Sequence, residues 1–132
     1  DLDGSLGTVP GLDPTNPAAS AMVKIGEANG FAGGDAFVGE SYDAAALMLL
    51  AMASAKSSDP QVYKDHVMKV ANGTGEKIYP GELAKGIKLA SYGVAIDYVG
   101  ASSVTLIGPG EAAGNFREIE IQNGKMVDVN YR

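Results

Sequence analysis

Residues Ser41 to Lys56 read SYDAAALMLLAMASAK, and within them Ala44 to Ala55 is an apolar run of about twelve residues. Alanine, leucine and methionine propagate helices well, so the run predicts a helix that is apolar on nearly every side. Such a helix has to be covered from several directions. The run is well short of the roughly twenty residues that a membrane-spanning helix needs, so the cover must be protein. A free-standing α/β domain supplies it by alternating strands and helices into one sheet. The rest of this chain offers few strands for that purpose.

The punctuation of the remainder is clear. Residues 1–17 hold three glycines and three prolines, an extended entry segment with turns at Val9-Pro10-Gly11 and Asp13-Pro14. Pro17 to Asn29, stopped by Gly30, predicts a helix with Met22, Ile25 and Ala28 near one face. Ala36-Phe37-Val38 reads as a short strand that feeds the apolar helix, with Ser41 as its N-cap. Ser58-Asp59-Pro60-Gln61 predicts a capping box opened by Ser58, and Gly73 the end of that helix; Val62, His66, Val67 and Val70 mark its inner stripe. A short helix is expected from Tyr79 to about Ala90, a strand at Val104 to Ile107, a turn at Pro109-Gly110, and a hairpin from Phe116 to Val129 around Asn123-Gly124. A three-residue turn, Gln122 to Gly124, suits the hairpin's alternation better than a two-residue one, because it pairs Ile119 with Val127.

At 132 residues the chain is one domain's worth of sequence, and 45% hydrophobic with 20% charged residues is a globular composition. Ten basic against sixteen acidic residues leave a net charge of −6, so a nucleic-acid partner is not expected. The lack of cysteine excludes disulfides, thiolate catalysis and cysteine-ligated metals, and fits cytosol and bacterial periplasm alike. The chain starts with Asp and shows no basic-then-apolar leader, so any signal peptide is expected to be removed or to lie upstream.

Several motifs carry chemistry by pattern. Asp1-Leu2-Asp3-Gly4-Ser5-Leu6 resembles the nucleophile loop of haloacid-dehalogenase-like phosphatases, in which the first aspartate attacks phosphorus and the second serves as acid and base in a Mg²⁺-dependent reaction. That reading requires a buried strand before Asp1 and a later acidic pair, and the sequence offers neither. The same letters fail as a calcium loop, because Leu6 and Leu12 stand where glycine and glutamate belong. His66 is the only histidine; it has no metal-binding or triad partners in sequence and reads as a packing residue. Asn72-Gly73-Thr74 matches a glycosylation sequon. Asp35 to Asp43 gathers an aromatic ring, a carboxylate, a hydroxyl and a phenol at the start of a helix, where free N–H groups attract anions.

That last stretch also carries a resemblance. Phe37-Val38 followed by Tyr42-Asp43-Ala44-Ala45, then Ser54 to Asp59, Lys77 to Glu82, Ile96 to Ser103, Gly108-Pro109-Gly110-Glu111 and the closing Ile121-Gln122-Asn123-Gly124-Lys125, in that order and spacing, resemble the C-terminal part of type I periplasmic solute-binding proteins. These are the leucine/isoleucine/valine-binding class of ABC transporter receptors. The resemblance implies an α/β chain that supplies the last third of a two-lobed fold with Rossmann-like lobes. Residues 1–8 would be an interlobe crossover strand, 9–115 the C-terminal part of the N-terminal lobe, and 116–132 a crossover and the terminal hairpin of the C-terminal lobe.

It implies a binding protein rather than an enzyme, with no cofactor and no metal. The ligand would be a small amino acid or amide-like solute held between lobes that close by hinge motion. The partners would be the remainder of the receptor polypeptide and a membrane permease, and the location the bacterial periplasm. By the same resemblance Phe37 makes apolar contact with the ligand, Glu40 pairs with its ammonium, and Ser41 and Tyr42 line or gate the site. Gly4, Ser5, Leu6, Arg117 and Glu118 form the hinge. Glu40 departs from the small or hydroxyl residue common at its position, which leaves the ligand's identity open. An inactive fragment is the third reading, beside the receptor and the phosphatase.

Overall fold

The computed structural model describes residues 2–108 and 110–132. Strand β1 (Leu6–Pro10) leads to α1 (Pro17–Asn29), which Asn16 caps by accepting the Ala18 N–H at 2.9 Å; Gly30, at φ 78°, ends it as the sequence predicts. Helix α2 (Val38–Ala55) is followed by α3 (Pro60–Ala71). The cap of α3 is Asp59 rather than Ser58, because the Asp59 carboxylate accepts the Gln61 N–H at 2.9 Å and places Pro60 in the first helical position. Asn72 rather than Gly73 ends it.

Strand β2 (Glu76–Ile78), helix α4 (Leu83–Ser91) and strand β3 (Ile96–Tyr98) form a β-α-β unit with parallel strands, Glu76 opposite Ile96 and Ile78 opposite Tyr98. Helix α4 starts later than expected because Tyr79 to Glu82 is a separate turn, with the Glu82 carboxylate accepting the Tyr79 N–H. Strands β4 (Thr105–Gly108) and β5 (Glu111–Ala113) form a hairpin; of the expected Pro109-Gly110 turn, Pro109 lies outside the described residues and Gly110 has φ 82°. Strands β6 (Phe116–Gln122) and β7 (Lys125–Tyr131) follow. The chain is therefore mixed α/β, with four helices and seven strands among the described residues, in three small sheets ordered β1-β6-β7, β2-β3 and β4-β5.

The main core lies where α2 packs on α3 and α4 over the parallel pair, around Leu50, Val70, Ile78, Ile96 and Tyr98. A second cluster joins Leu12, Ala19, Met22 and Ala101. Helix α2 buries Leu47, Leu50 and Ala51 but leaves Met48 and Leu49 at 45% and 44% exposure, so the described elements cover one side of it. The α3 stripe also shifts: Val70 is buried, Tyr63, His66 and Val67 are half-buried, and Val62 is exposed.

The terminal hairpin departs from the expected register. Asn123 and Gly124, at φ 53° and 72°, make a two-residue turn that pairs Ile121 with Met126 and Glu120 with Val127. Two adjacent left-handed residues match the twist of the flanking strands, and Asn-Gly adopts them readily. The face mismatch is absorbed by a register shift at Glu118/Ile119 that leaves Val129 as the extra residue. Met126 and Val127 are exposed, so burial does not enforce the alternative register.

Candidate functional site

Asp43 organises the region where the N-terminal turns of α2 meet the end of β3. It sits beside an apolar run and is only 2% exposed, and a buried carboxylate persists only when fully partnered. Its Oδ1 accepts the Tyr98 hydroxyl and the Ala101 N–H, both at 2.8 Å, and its Oδ2 accepts the Ser102 N–H at 2.8 Å and the Ser102 hydroxyl at 2.6 Å. Gly100, at φ 71°, wraps against the carboxylate so closely that a Cβ would lie 2.7 Å from Oδ2, which only glycine allows. Burial, then the Asp43 charge and the hydrogen bond to it, raise the Tyr98 phenol well above its usual range. It therefore stays a proton donor.

Beside this clamp lies a cavity of about 340 Å³, walled largely by apolar groups including Leu47, Val104, Leu106 and Phe116. The Asn115 side-chain amide donates to the Ser102 carbonyl and ties two parts of its wall together. Phe37 and Glu40 both line it. Phe37 is the N-cap of α2 at φ 67°, with no side-chain capping bond and 60% of its surface exposed. A left-handed conformation costs an L-residue about 1–2 kcal/mol, so an exposed ring is held in a strained backbone position. The Glu40 Oε2 is out of solvent reach and has no hydrogen-bond partner among the described residues.

The other two expected site residues lie elsewhere. Ser41 is exposed within the helix, and its N–H donates to the Phe37 carbonyl at 2.9 Å. Phe37, not Ser41, takes the cap position, and the residues before α2 are turns rather than a strand. The helix starts four residues earlier than expected because the left-handed Phe37 turns the chain directly into it. Tyr42 is half-buried between the two core clusters, and its hydroxyl accepts the Gly81 N–H at 3.1 Å. Neither Ser41 nor Tyr42 lines the cavity.

The expected hinge residues come together in or beside one sheet. The Gly4 N–H donates to the Ile121 carbonyl at 2.8 Å, Ser5 accepts the Ile121 N–H at 2.9 Å, and Leu6 stands opposite Glu120. Arg117 and Glu118 stand opposite Val9 and Thr8. The Arg117 guanidinium pairs with Asp128 at 3.1 Å, and Glu118 pairs with Arg132. A larger cavity of about 480 Å³ lies between α1 and Arg117, Asp128 and Tyr131. Lys24, Glu27, Arg117 and Asp128 all line it, so its charges are mixed, and it includes none of Phe37, Glu40, Ser41 and Tyr42.

Of the aspartates in the phosphatase-like motif, Asp1 lies outside the described residues, and Asp3 accepts the Gly124 N–H at 3.0 Å at the hairpin tip. Among the described residues no three His, Asp or Glu side chains are grouped to hold a metal ion. Among the described residues no helix is long and apolar enough to cross a membrane. Comparison with known protein families, curated proteins and solved structures gives no match. Sequence reasoning missed Asp43 as the organising residue, although a carboxylate at the edge of so apolar a run signals a buried polar knot. Asn115 carried no comparable signal.

Proposed function

We propose that this chain is the last third of a two-lobed periplasmic solute-binding receptor of the leucine/isoleucine/valine-binding class, the substrate-binding component of an ABC importer. The observation that carries this reading is the apolar cavity at the start of α2, with the exposed Phe37 ring and the Glu40 side chain in its wall. Small-molecule sites are concave and mostly apolar, with a few polar groups that orient the ligand. They form preferentially outside the carboxyl ends of parallel strands, and here the Asp43 clamp fixes the cavity beside the end of β3.

Two further features support it. The candidate hinge segments are hydrogen-bonded neighbours in one sheet, as crossovers that bend together require. The uncovered face of α2 and the two-stranded parallel sheet match a lobe whose remaining strands come from elsewhere in a receptor polypeptide, since parallel sheets are normally covered on both faces. On this reading Phe37 packs on a small amino acid or amide-like solute, closure about the β1-β6-β7 sheet traps it, and no covalent step occurs. The loaded receptor delivers it to a membrane permease from the periplasm.

The test is thermal unfolding of the chain with millimolar leucine, isoleucine, valine and their amides. A ligand bound only by the folded state stabilises by about 2.7 kcal/mol at one hundred times its Kd. A rise in Tm that Phe37→Ala diminishes is the expected result. An unchanged Tm across the series would overturn the proposal.

A further inference from the structure

We propose that the tip of the terminal hairpin is a site of self-modification, at which the Gly124 backbone nitrogen attacks the Asn123 side-chain carbonyl and water opens the resulting succinimide to aspartate or isoaspartate. In the first step the bond from the Gly124 nitrogen to the Asn123 Cγ forms and the Cγ–Nδ2 bond breaks. The Nδ2 nitrogen leaves as ammonia, with the proton that Gly124 gives up. Water then adds at either ring carbonyl, so the amide is replaced by one carboxylate and no oxidant or cofactor is needed. The inference is independent of the solute-binding reading, since neither residue lines the cavity at the start of α2.

The chain carries its own comparison in three Asn-Gly pairs, Asn29-Gly30, Asn72-Gly73 and Asn123-Gly124. Glycine has no Cβ to hinder ring closure, so the three share one chemistry and differ in what the fold does to them. Asn29 ends α1, where its side-chain amide donates to the Ile25 carbonyl at 2.8 Å and the Gly30 N–H donates to the Gly26 carbonyl. Asn72 is held at both side-chain atoms: its amide donates to the Leu106 carbonyl at 2.7 Å, and its oxygen accepts the Leu106 N–H at 3.0 Å. In both places the fold must open before the side chain can reach the next nitrogen. Asn123 is exposed, and its side chain makes no hydrogen bond among the described residues. The space that a Cβ on Gly124 would enter is open to 4 Å.

The restraint at this turn falls on the nucleophile instead. The Gly124 N–H donates to the Asp3 carboxylate at 3.0 Å. Attack requires the nitrogen without its proton, and a negative charge beside it disfavours that anion. Asp3 therefore guards the turn, and the reaction proceeds when the entry segment lifts away in a local opening. The product favours that opening. Either carboxylate places a new negative charge near Asp3, and isoaspartate lengthens the main chain of a two-residue turn whose twist is matched to its strands. Next to the Asp3 contact stands the bond from the Gly4 N–H to the Ile121 carbonyl, which holds the entry segment to the hairpin and should weaken with it.

The test is timed incubation of the unmodified chain in mildly alkaline buffer, followed by digestion and mass spectrometry of the three Asn-Gly peptides. Exchange of an amide for an acid shifts the peptide mass, and the aspartate and isoaspartate products separate by chromatography. In the folded chain the Asn123 peptide should convert first, with Asn29 and Asn72 intact over the same period. In urea the three should convert at similar rates, which shows that the fold makes the difference. Conversion of Asn29 or Asn72 as fast as Asn123 in the folded chain would overturn the proposal, as would an Asn123 that stays intact. Asp3→Ala should speed conversion at Asn123 about fivefold, the effect of removing one unit charge at about 4 Å in water. An unchanged or slower rate would overturn the guarding role. The comparison among the three pairs needs no variant, so the site itself stays open to refutation if Asp3→Ala does not fold.

Discussion

Replacing Asp43 by alanine should remove the clamp between α2 and the end of β3, and the loss can be worked out from its partners. The Tyr98 hydroxyl and the Ala101 N–H are buried, and a buried donor left without an acceptor costs about 1–3 kcal/mol. The two Ser102 donors are only partly buried, so water can replace the carboxylate there at little cost. Against this stands the desolvation of the charge itself, which the alanine variant no longer bears. The balance is a destabilisation of about 3 kcal/mol, a large part of the roughly 5–15 kcal/mol that holds a domain together.

Asp43→Asn is the informative control. Its carbonyl oxygen keeps Tyr98 and Ala101, its amide opposes the Ser102 N–H, and the Ser102 hydroxyl can reverse to accept from it. One partly buried N–H is then unsatisfied, at about 1–2 kcal/mol. Urea unfolding reads both, at slopes of about 1–3 kcal/mol per molar, so the alanine midpoint should fall by about 1–3 M with an unchanged slope. An alanine variant within about 0.5 kcal/mol of wild type, a difference small enough for a surface substitution, would show that the clamp contributes nothing.

Three further outcomes are expected. Because the folded state raises the Tyr98 pKa, stability should be flat below about pH 9 and fall above about pH 10, where the unfolded chain releases a proton that the folded chain keeps, by up to about 1.4 kcal/mol per pH unit; Tyr98→Phe should remove that part of the slope in urea titrations at pH 8–11. Phe37→Gly relieves about 1–2 kcal/mol of backbone strain and returns about 0.4–1 through the freer unfolded chain, so it should raise the unfolding midpoint slightly while weakening ligand binding; a lower midpoint would make the ring a core residue. Gly86→Ala places a methyl 2.8 Å from Leu50 Cδ2 and 3.0 Å from Ile78 Cγ2, so calorimetry should find a loss of about 1–3 kcal/mol from overpacking rather than the gain of about 1 kcal/mol expected from helix propensity.

The helices were legible because local chemistry fixes them: Pro17 opens one, Gly30 stops it, and the run from Ala44 to Ala55 leaves no other choice. Strands β2, β3 and β5 were not, since three residues each carry too little alternation and their pairing depends on partners distant in sequence. The hairpin register departs from the one that side-chain alternation favours because here the Asn123-Gly124 turn decides. At the start of α2 the structure brings Phe37 and Glu40 to one cavity wall and leaves Ser41 and Tyr42 outside it. A helix sends consecutive side chains in different directions, so only some of four neighbours share a cavity.

The pairing of β1 with β6 has a consequence for how the molecule assembles. It joins segments more than one hundred residues apart along the chain, whereas the packing among α2, α3, β2, α4 and β3 spans shorter separations. Closing so long a span carries a large loop entropy before any contact repays it, and the described residues contribute no helix packed extensively against that sheet. The β1-β6-β7 sheet should therefore form last on folding and open first on warming. Its amides should exchange with solvent through partial openings while those of Leu50 and Ile78 wait for global unfolding.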